Sequence, residues 1–143
     1  MANDTVELLR ECDAGVRMGM ESLEEMLPHV QDSELKDRIT ACKDTHVQLK
    51  QDISEQLAVC GATGEAPNAM ARGMSWMKTQ AMTAMKPGDS TVAELVIDGC
   101  DMGAKSLSKY LNRYKGADER AKETARQLIS AESKMSIDMR GWL

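Results

Sequence analysis

Along most of the chain apolar residues recur at alternating spacings of three and four, the period of a helix that buries one face. Between positions 35 and 60 the residues Leu35, Ile39, Cys42, His46, Leu49, Ile53 and Leu57 draw one stripe, with Lys36, Asp37, Lys43, Lys50, Asp52 and Glu55 off it. Upstream, Leu8, Leu9, Cys12, Val16, Gly19, Met20, Leu23 and Met26 keep the same spacing, and Arg10, Glu11, Arg17, Glu21, Glu24 and Glu25 cover the other side. Asp4, with Glu7 three residues on, is placed to cap this first helix. The run reaches about Leu27, because Pro28 disfavours helix at the residue before it. Asp32 or Ser33 caps the second helix and Gly61 stops it, glycine being suited to a left-handed C-terminal position. So short a link makes the two helices antiparallel neighbours.

Residues 61–68 read as a loop from their Gly and Pro content, after which Met70, Met74, Met77, Ala81 and Met85 mark a shorter amphipathic segment. Pro87-Gly88 closes it, and the box Thr91-x-x-Glu94 opens a long helix through Val92, Leu95, Val96, Cys100, Gly103, Leu107 and Tyr110 that Gly116 ends. Asp118 caps a last helix with the stripe Ala121, Ala125, Leu128, Ala131, Met135 and Met139, before Trp142-Leu143. The pattern predicts a single all-α domain over residues 1–143: a four-helix bundle of two antiparallel hairpins joined by a long crossover that contains a short helix. Cys12-Asp13-Ala14-Gly15-Val16-Arg17 resembles Cys100-Asp101-Met102-Gly103-Ala104-Lys105, and Leu8-Leu9 matches Val96-Ile97 at the same offset, so the second hairpin reads as a diverged copy of the first.

Composition sharpens this picture in three ways. With 143 residues the chain can bury one sizeable core unaided, and with no Phe and 12 Met that core is built from aliphatic residues and pliable thioethers, which favours helices. The net charge of -5 is spread with both signs interspersed, so no basic face for nucleic acid is expected. The first residues lack a signal-peptide pattern and no apolar run has transmembrane length, so the expectation is a cytoplasmic protein without a membrane partner. Cysteines 12, 42, 60 and 100 form no close pair and are expected as free thiols, with Cys12, Cys42 and Cys100 buried and Cys60 exposed at a helix end.

The order of these features, with the Leu9-x-x-Cys12 start, the glycine-bearing loop and Ala71-Arg72-Gly73-Met74-Ser75-Trp76-Met77-Lys78 in the crossover, resembles small ferritin-like domains related to rubrerythrin. The resemblance covers nearly the whole chain and implies a ferritin-like bundle. Catalytic bundles of that kind carry a Glu on each of two helices and a Glu-x-x-His on each of the other two, because two hard metal ions need bridging carboxylates and imidazoles. Laid on that pattern, the first Glu falls near Val16, the first pair at Lys43 and His46, the second Glu near Ala104, and the second pair near Ala131 and Lys134. Only His46 keeps a ligand type, so a di-iron oxidoreductase is the third reading.

Two other features could carry function. Cys42 and His46 lie one turn apart on the core stripe, and in a ferritin-like arrangement the second and third helices run parallel, which brings Cys100 to a similar level with Met135 nearby. Such a trio of Cys42, His46 and Cys100 would suit Zn²⁺ or Cu(I), or thiol redox chemistry, against the plainer reading of a packed Cys and a satisfied His. In the crossover Met70, Met74, Trp76 and Met77 form a methionine-rich face suited to a homodimer contact or a protein partner. Asp13 and Asp101 are expected to be solvated or salt-bridged. No nucleophile motif or phosphate loop is present, and no cofactor is called for. The leading expectation is a non-catalytic ferritin-like bundle that acts through self-association or partner binding. The metal-binding or thiol-redox bundle is the alternative.

Overall fold

A computed structural model describes the protein over residues 2–64 and 88–143. Four long helices carry the fold: α1 (Ala2–Met26), α2 (Ser33–Val59), α3 (Asp89–Arg113) and α4 (Glu119–Asp138). Single 3₁₀ turns follow α1 at Leu27–His29 and α4 at Met139–Trp142. The tightest packing is within the pairs α1/α2 and α3/α4, so the two hairpins are as the sequence predicts. The expected short helix of the crossover, with Met70, Met74, Trp76 and Met77, lies outside the described residues.

Two caps form as read. Asp32 accepts the N–H groups of Glu34 and Leu35 at 2.7 and 3.4 Å, and Asp118 accepts that of Ala121 at 2.8 Å. Gly61 takes φ +70° behind α2, where its own N–H and that of Ala62 reach the carbonyls of Ala58 and Leu57. Three boundary expectations are corrected. Asp4 sits in the first turn of α1 and accepts Gly116 N–H at 2.9 Å, tying the α3–α4 turn to the N-terminal helix. Helix α3 begins at Asp89, ahead of Thr91, and its N-cap is Gly88 without a side-chain bond. The Asp89 carboxylate instead accepts Gln31 and Asp32 N–H at 2.7 and 3.0 Å, stitching the α1–α2 turn to the second hairpin. At the other end α3 stops at Arg113, three residues before Gly116.

Among the described residues, two large apolar clusters hold most of the core. One gathers Leu8, Leu9, Cys12, Val16, Ile53, Leu57, Leu107 and Leu128 with the small Ala117, Ala121 and Ala125. The other gathers Leu23, Met26, Leu35, Ile39, Val92, Val96, Cys100, Met135 and Met139. Each fully buried Leu or Ile in these clusters contributes roughly 1.5–3 kcal/mol. Cys12 therefore lies toward the opposite end from Cys42 and Cys100, as expected.

Polar contacts mark the α2/α4 seam. Trp142 Nε1–H donates to Asp32 at 3.2 Å, Arg38 faces Asp138 at 3.5 Å, His46 meets Glu132 at 2.7 Å, Gln56 donates to Thr124 at 2.8 Å, and Arg120 pairs with Asp52 at 2.8 Å. From Asp32–Trp142 through Arg38–Asp138 and His46–Glu132 to Gln56–Thr124, rising numbers on α2 meet falling numbers on α4 and the turn behind it, so these helices are antiparallel. The ion pairs at the surface are individually worth about 0–1 kcal/mol, whereas Gln56–Thr124 and His46–Glu132 are buried, and of these His46–Glu132 is the one that joins ionisable groups.

Candidate functional site

His46 and Glu132 project from α2 and α4 into the layer between the two apolar clusters, and both are buried. The His46 ring is fixed at both nitrogens. Nδ1 lies 2.8 Å from the Cys42 carbonyl, which can only accept, so Nδ1 carries a proton. Nε2 lies 2.7 Å from Glu132 Oε1. One further proton sits between this nitrogen and the carboxylate. Burial by itself disfavours the imidazolium, but the contacts to Cys42 and to Glu132, with the carboxylate's charge, outweigh it and push the ring's pKa up to about 10. The pair is therefore an imidazolium–carboxylate ion pair at neutral pH.

Glycines make the room for it. A Cβ on Gly19 of α1 would stand 2.8 Å from His46 Cδ2 and Nε2, and one on Gly103 of α3 would stand 3.3 Å from Glu132 Oε2. Gly15 and Gly99 lie one turn from these on the same two helices, and all four line a pocket of about 50 Å³ beside the pair. Cys42 and Cys100 line that pocket as well.

The proposed metal trio is thus partly assembled. Cys42 Sγ stands 3.7 Å from His46 Nδ1, the nitrogen already bonded to a carbonyl, whereas Nε2 points at Glu132. Cys100 contacts the Glu132 carboxylate, and its buried thiol is pushed far above the ordinary range, first by desolvation and then by that carboxylate's charge. Among the described residues no group of three or more His, Cys, Asp or Glu side chains is arranged to hold a metal ion.

Glu132 is the residue that the sequence reading missed. The rubrerythrin pattern puts the α4 pair near Ala131 and Lys134, which stand at the same offset from Lys43 and His46 as Cys100 does from Cys12. The distance from repeated Cys to capping Asp differs between the hairpins, however: Asp32 is twenty positions after Cys12, and Asp118 is eighteen after Cys100. Counted from the capping aspartates, His46 and Glu132 are each fourteen residues along their helix. They hold equivalent places in the two hairpins. The available signal was the N-cap, which fixes the register of a helix better than a repeat in the helix before it.

Asp13 and Asp101, equivalent in the repeat, differ. Asp13 is fully buried with Arg17 Nη2 2.8 Å from its Oδ2, whereas Asp101 is exposed and accepts the hydroxyl of the buried Ser136 at 2.7 Å. Glu11 of α1 is also buried. Desolvation raises its pKa, partly opposed by a hydrogen bond from Tyr110.

Two measurements check this geometry. In the unfolded chain His46 titrates near 6.5, and folding raises that value. A raised pKa contributes stability that is complete below pH 6.5 and disappears as pH climbs through about 10. Urea midpoints should therefore fall from about pH 6.5 upward, and up to about pH 8.5, below the range where the buried thiols of Cys12 and Cys100 add a fall of their own, that slope should be absent in a His46→Gln variant. For the thiols, Cys60 is exposed, Cys42 half-buried, and Cys12 and Cys100 buried, with the Cys12 thiol pushed up to about 12 chiefly by burial. Labelling of the native protein should modify Cys60 first and leave Cys12 and Cys100 at least about tenfold slower. Equal rates at all four would contradict the helix faces.

Comparison with known families gives no match, and no curated protein matches the chain. Among solved structures, the crystal structure of Dps92 from Deinococcus radiodurans is similar, with a TM-score of 0.80 over 99% of this chain and 87% of that one, at 11% sequence identity. No helix among the described residues is long and apolar enough to cross a membrane. The fold is ferritin-like: an all-α four-helix bundle of two hairpins.

Proposed function

We propose that this chain is a non-catalytic ferritin-like bundle in which one buried ion pair stands at the centre of the fold, and that it acts by association with a second copy of itself or with a protein partner. The observation that carries this reading is the 2.7 Å contact between His46 Nε2 and Glu132. It takes up the imidazole and one oxygen of the carboxylate, and the neighbouring positions are Gly15, Gly103, Cys42, Cys100 and Leu128. Two irons would need several carboxylates converging there. Among the described residues, Glu132 added to His46 gives the layer one carboxylate and one imidazole, already spent on each other.

Association would use the methionine-rich crossover of Met70, Met74, Trp76 and Met77, whose sequence carries more apolar surface than a helix on the outside of a small bundle needs. A twofold contact reuses one patch twice. The expected solution state is a dimer by light scattering. Met74→Glu with Met77→Glu should shift the mass toward monomer while helical content stays nearly intact, and an unchanged mass would place the contact elsewhere.

A second reading is supported by the shared pocket. Cys42, His46 and Cys100 line one space, and a soft ion such as Zn²⁺ or Cu(I) could draw them together if His46 gave up Glu132. Elemental analysis of protein purified without chelator separates the two, since the first reading expects no stoichiometric metal and the second at least one zinc or copper per chain.

A further inference from the structure

The pocket beside the His46–Glu132 pair has walls of a consistent kind. Met18, Leu23 and Met26 of α1, Val96 and Leu107 of α3, and Leu128 of α4 supply its apolar surface. At about 50 Å³ it exceeds the space one water needs, which is roughly 10–15 Å³ on the same footing, and falls well short of the ~150 Å³ of an engineered apolar cavity that takes up benzene or xenon. A ring does not fit. One atom or one diatomic molecule does.

Chemistry favours an apolar guest over water. A buried water needs two to four polar partners, and on this wall His46 uses Nδ1 on the Cys42 carbonyl and Nε2 on Glu132, Glu132 also contacts the Cys100 thiol, and Ser22 adds a single hydroxyl. The thioethers of Met18 and Met26 are polarizable, which strengthens dispersion contact with a polarizable guest.

The space is also built in. Gly15 and Gly19 on α1, and Gly99 and Gly103 on α3, are i,i+4 pairs on the pocket wall, each of which gives up helix propensity worth about 1 kcal/mol relative to Ala. Gly19 and Gly103 let the ion pair lie back against the backbone, which leaves the room in front of it.

From the size, the apolar walls and the engaged polar groups together, we infer that this pocket is a binding site for one small apolar molecule of the dioxygen or xenon class. The inference is independent of whether the bundle associates. Xenon is the probe. In the intact protein, methyl NMR signals of Met18, Met26, Leu107 and Leu128 should shift saturably under xenon pressure, while those of Leu8 and Leu9, which do not line the pocket, should not. Val96→Leu, which lengthens a wall side chain into the space, should weaken the xenon affinity severalfold, and Val96→Ala should keep or raise it. Shifts that stay linear with pressure, or that spread equally to Leu8 and Leu9, would overturn the assignment. So would the absence of any shift, the result expected if water bonded to Glu132 holds the pocket, or a Val96→Leu protein that binds xenon as the native one does.

Discussion

Replacing His46 with Ala is expected to cost about 3–5 kcal/mol of folding stability, because it strands the Glu132 carboxylate in the core without its partner. Against a total of about 5–15 kcal/mol for a domain of this size, that is a large share, and it should lower Tm by roughly 10 °C or more. The loss should be non-additive. Glu132→Leu alone removes the carboxylate that helps hold the ring protonated and leaves a buried imidazole without a partner at Nε2, but the double change His46→Leu with Glu132→Leu removes both polar groups, and an apolar pair in place of a buried ion pair is often neutral or better. The double variant should therefore recover most of the stability lost in either single one. Salt should matter little to these differences, since the pair is shielded from mobile ions. Simple addition of the two single losses would mean that the contact carries no coupling and that each residue is merely packed.

Gly19→Ala is the second large effect, and its sign runs against local propensity. In the interior of a helix Ala is favoured over Gly by about 1 kcal/mol, yet here the new methyl would stand 2.8 Å from two ring atoms of His46. That ring is held at both nitrogens and cannot swing aside without breaking the contact to Cys42 or to Glu132. Overpacking of this kind costs about 1–3 kcal/mol before the hydrogen bonds are counted. The same change at Gly103 meets the end of a Glu side chain at 3.3 Å, which can give by a few tenths of an ångström. The net loss at Gly19 should exceed that at Gly103 by at least about 1–2 kcal/mol, measured by urea denaturation of the two variants. Equal effects, or a stabilised Gly19→Ala protein, would show that the ring is free to move.

The helices, hairpins and core stripe were legible because each rests on local periodicity: Leu35, Ile39, Ile53 and Leu57 are all buried on α2 as their spacing requires. Asp32 and Asp118 were legible as caps for the same reason, since a cap acts within three residues. The failures share one cause. Asp4 and Asp89 look like first-turn residues of their own helices, yet their carboxylates bond backbone N–H groups far away in sequence, at Gly116 and at Gln31 and Asp32. Tertiary pairing of that sort leaves no local trace. Glu132 was hidden by a distance from repeated Cys to capping Asp that is two residues shorter in the second hairpin, which shifts α4 against the repeat carried by α1 and α3 and turns a residue with the look of a solvated face into the partner of His46. Gly19 gave a weaker signal. It fits the apolar stripe by spacing, but only the approach of the ring explains why the position is glycine.

The most direct test of the pair at the centre of the bundle is the ¹⁵N NMR signature of the His46 side chain, followed from pH 6 to 10.5 and on addition of Fe²⁺ or Zn²⁺. Both ring nitrogens should remain protonated through neutral pH, lose a proton only as pH approaches about 10, and be indifferent to either metal. A ring that titrates near the ordinary value of 6.5, or an Nε2 resonance that shifts stoichiometrically with added metal, would show that His46 is free to act as a ligand and that the ion pair is not what holds the centre of the fold.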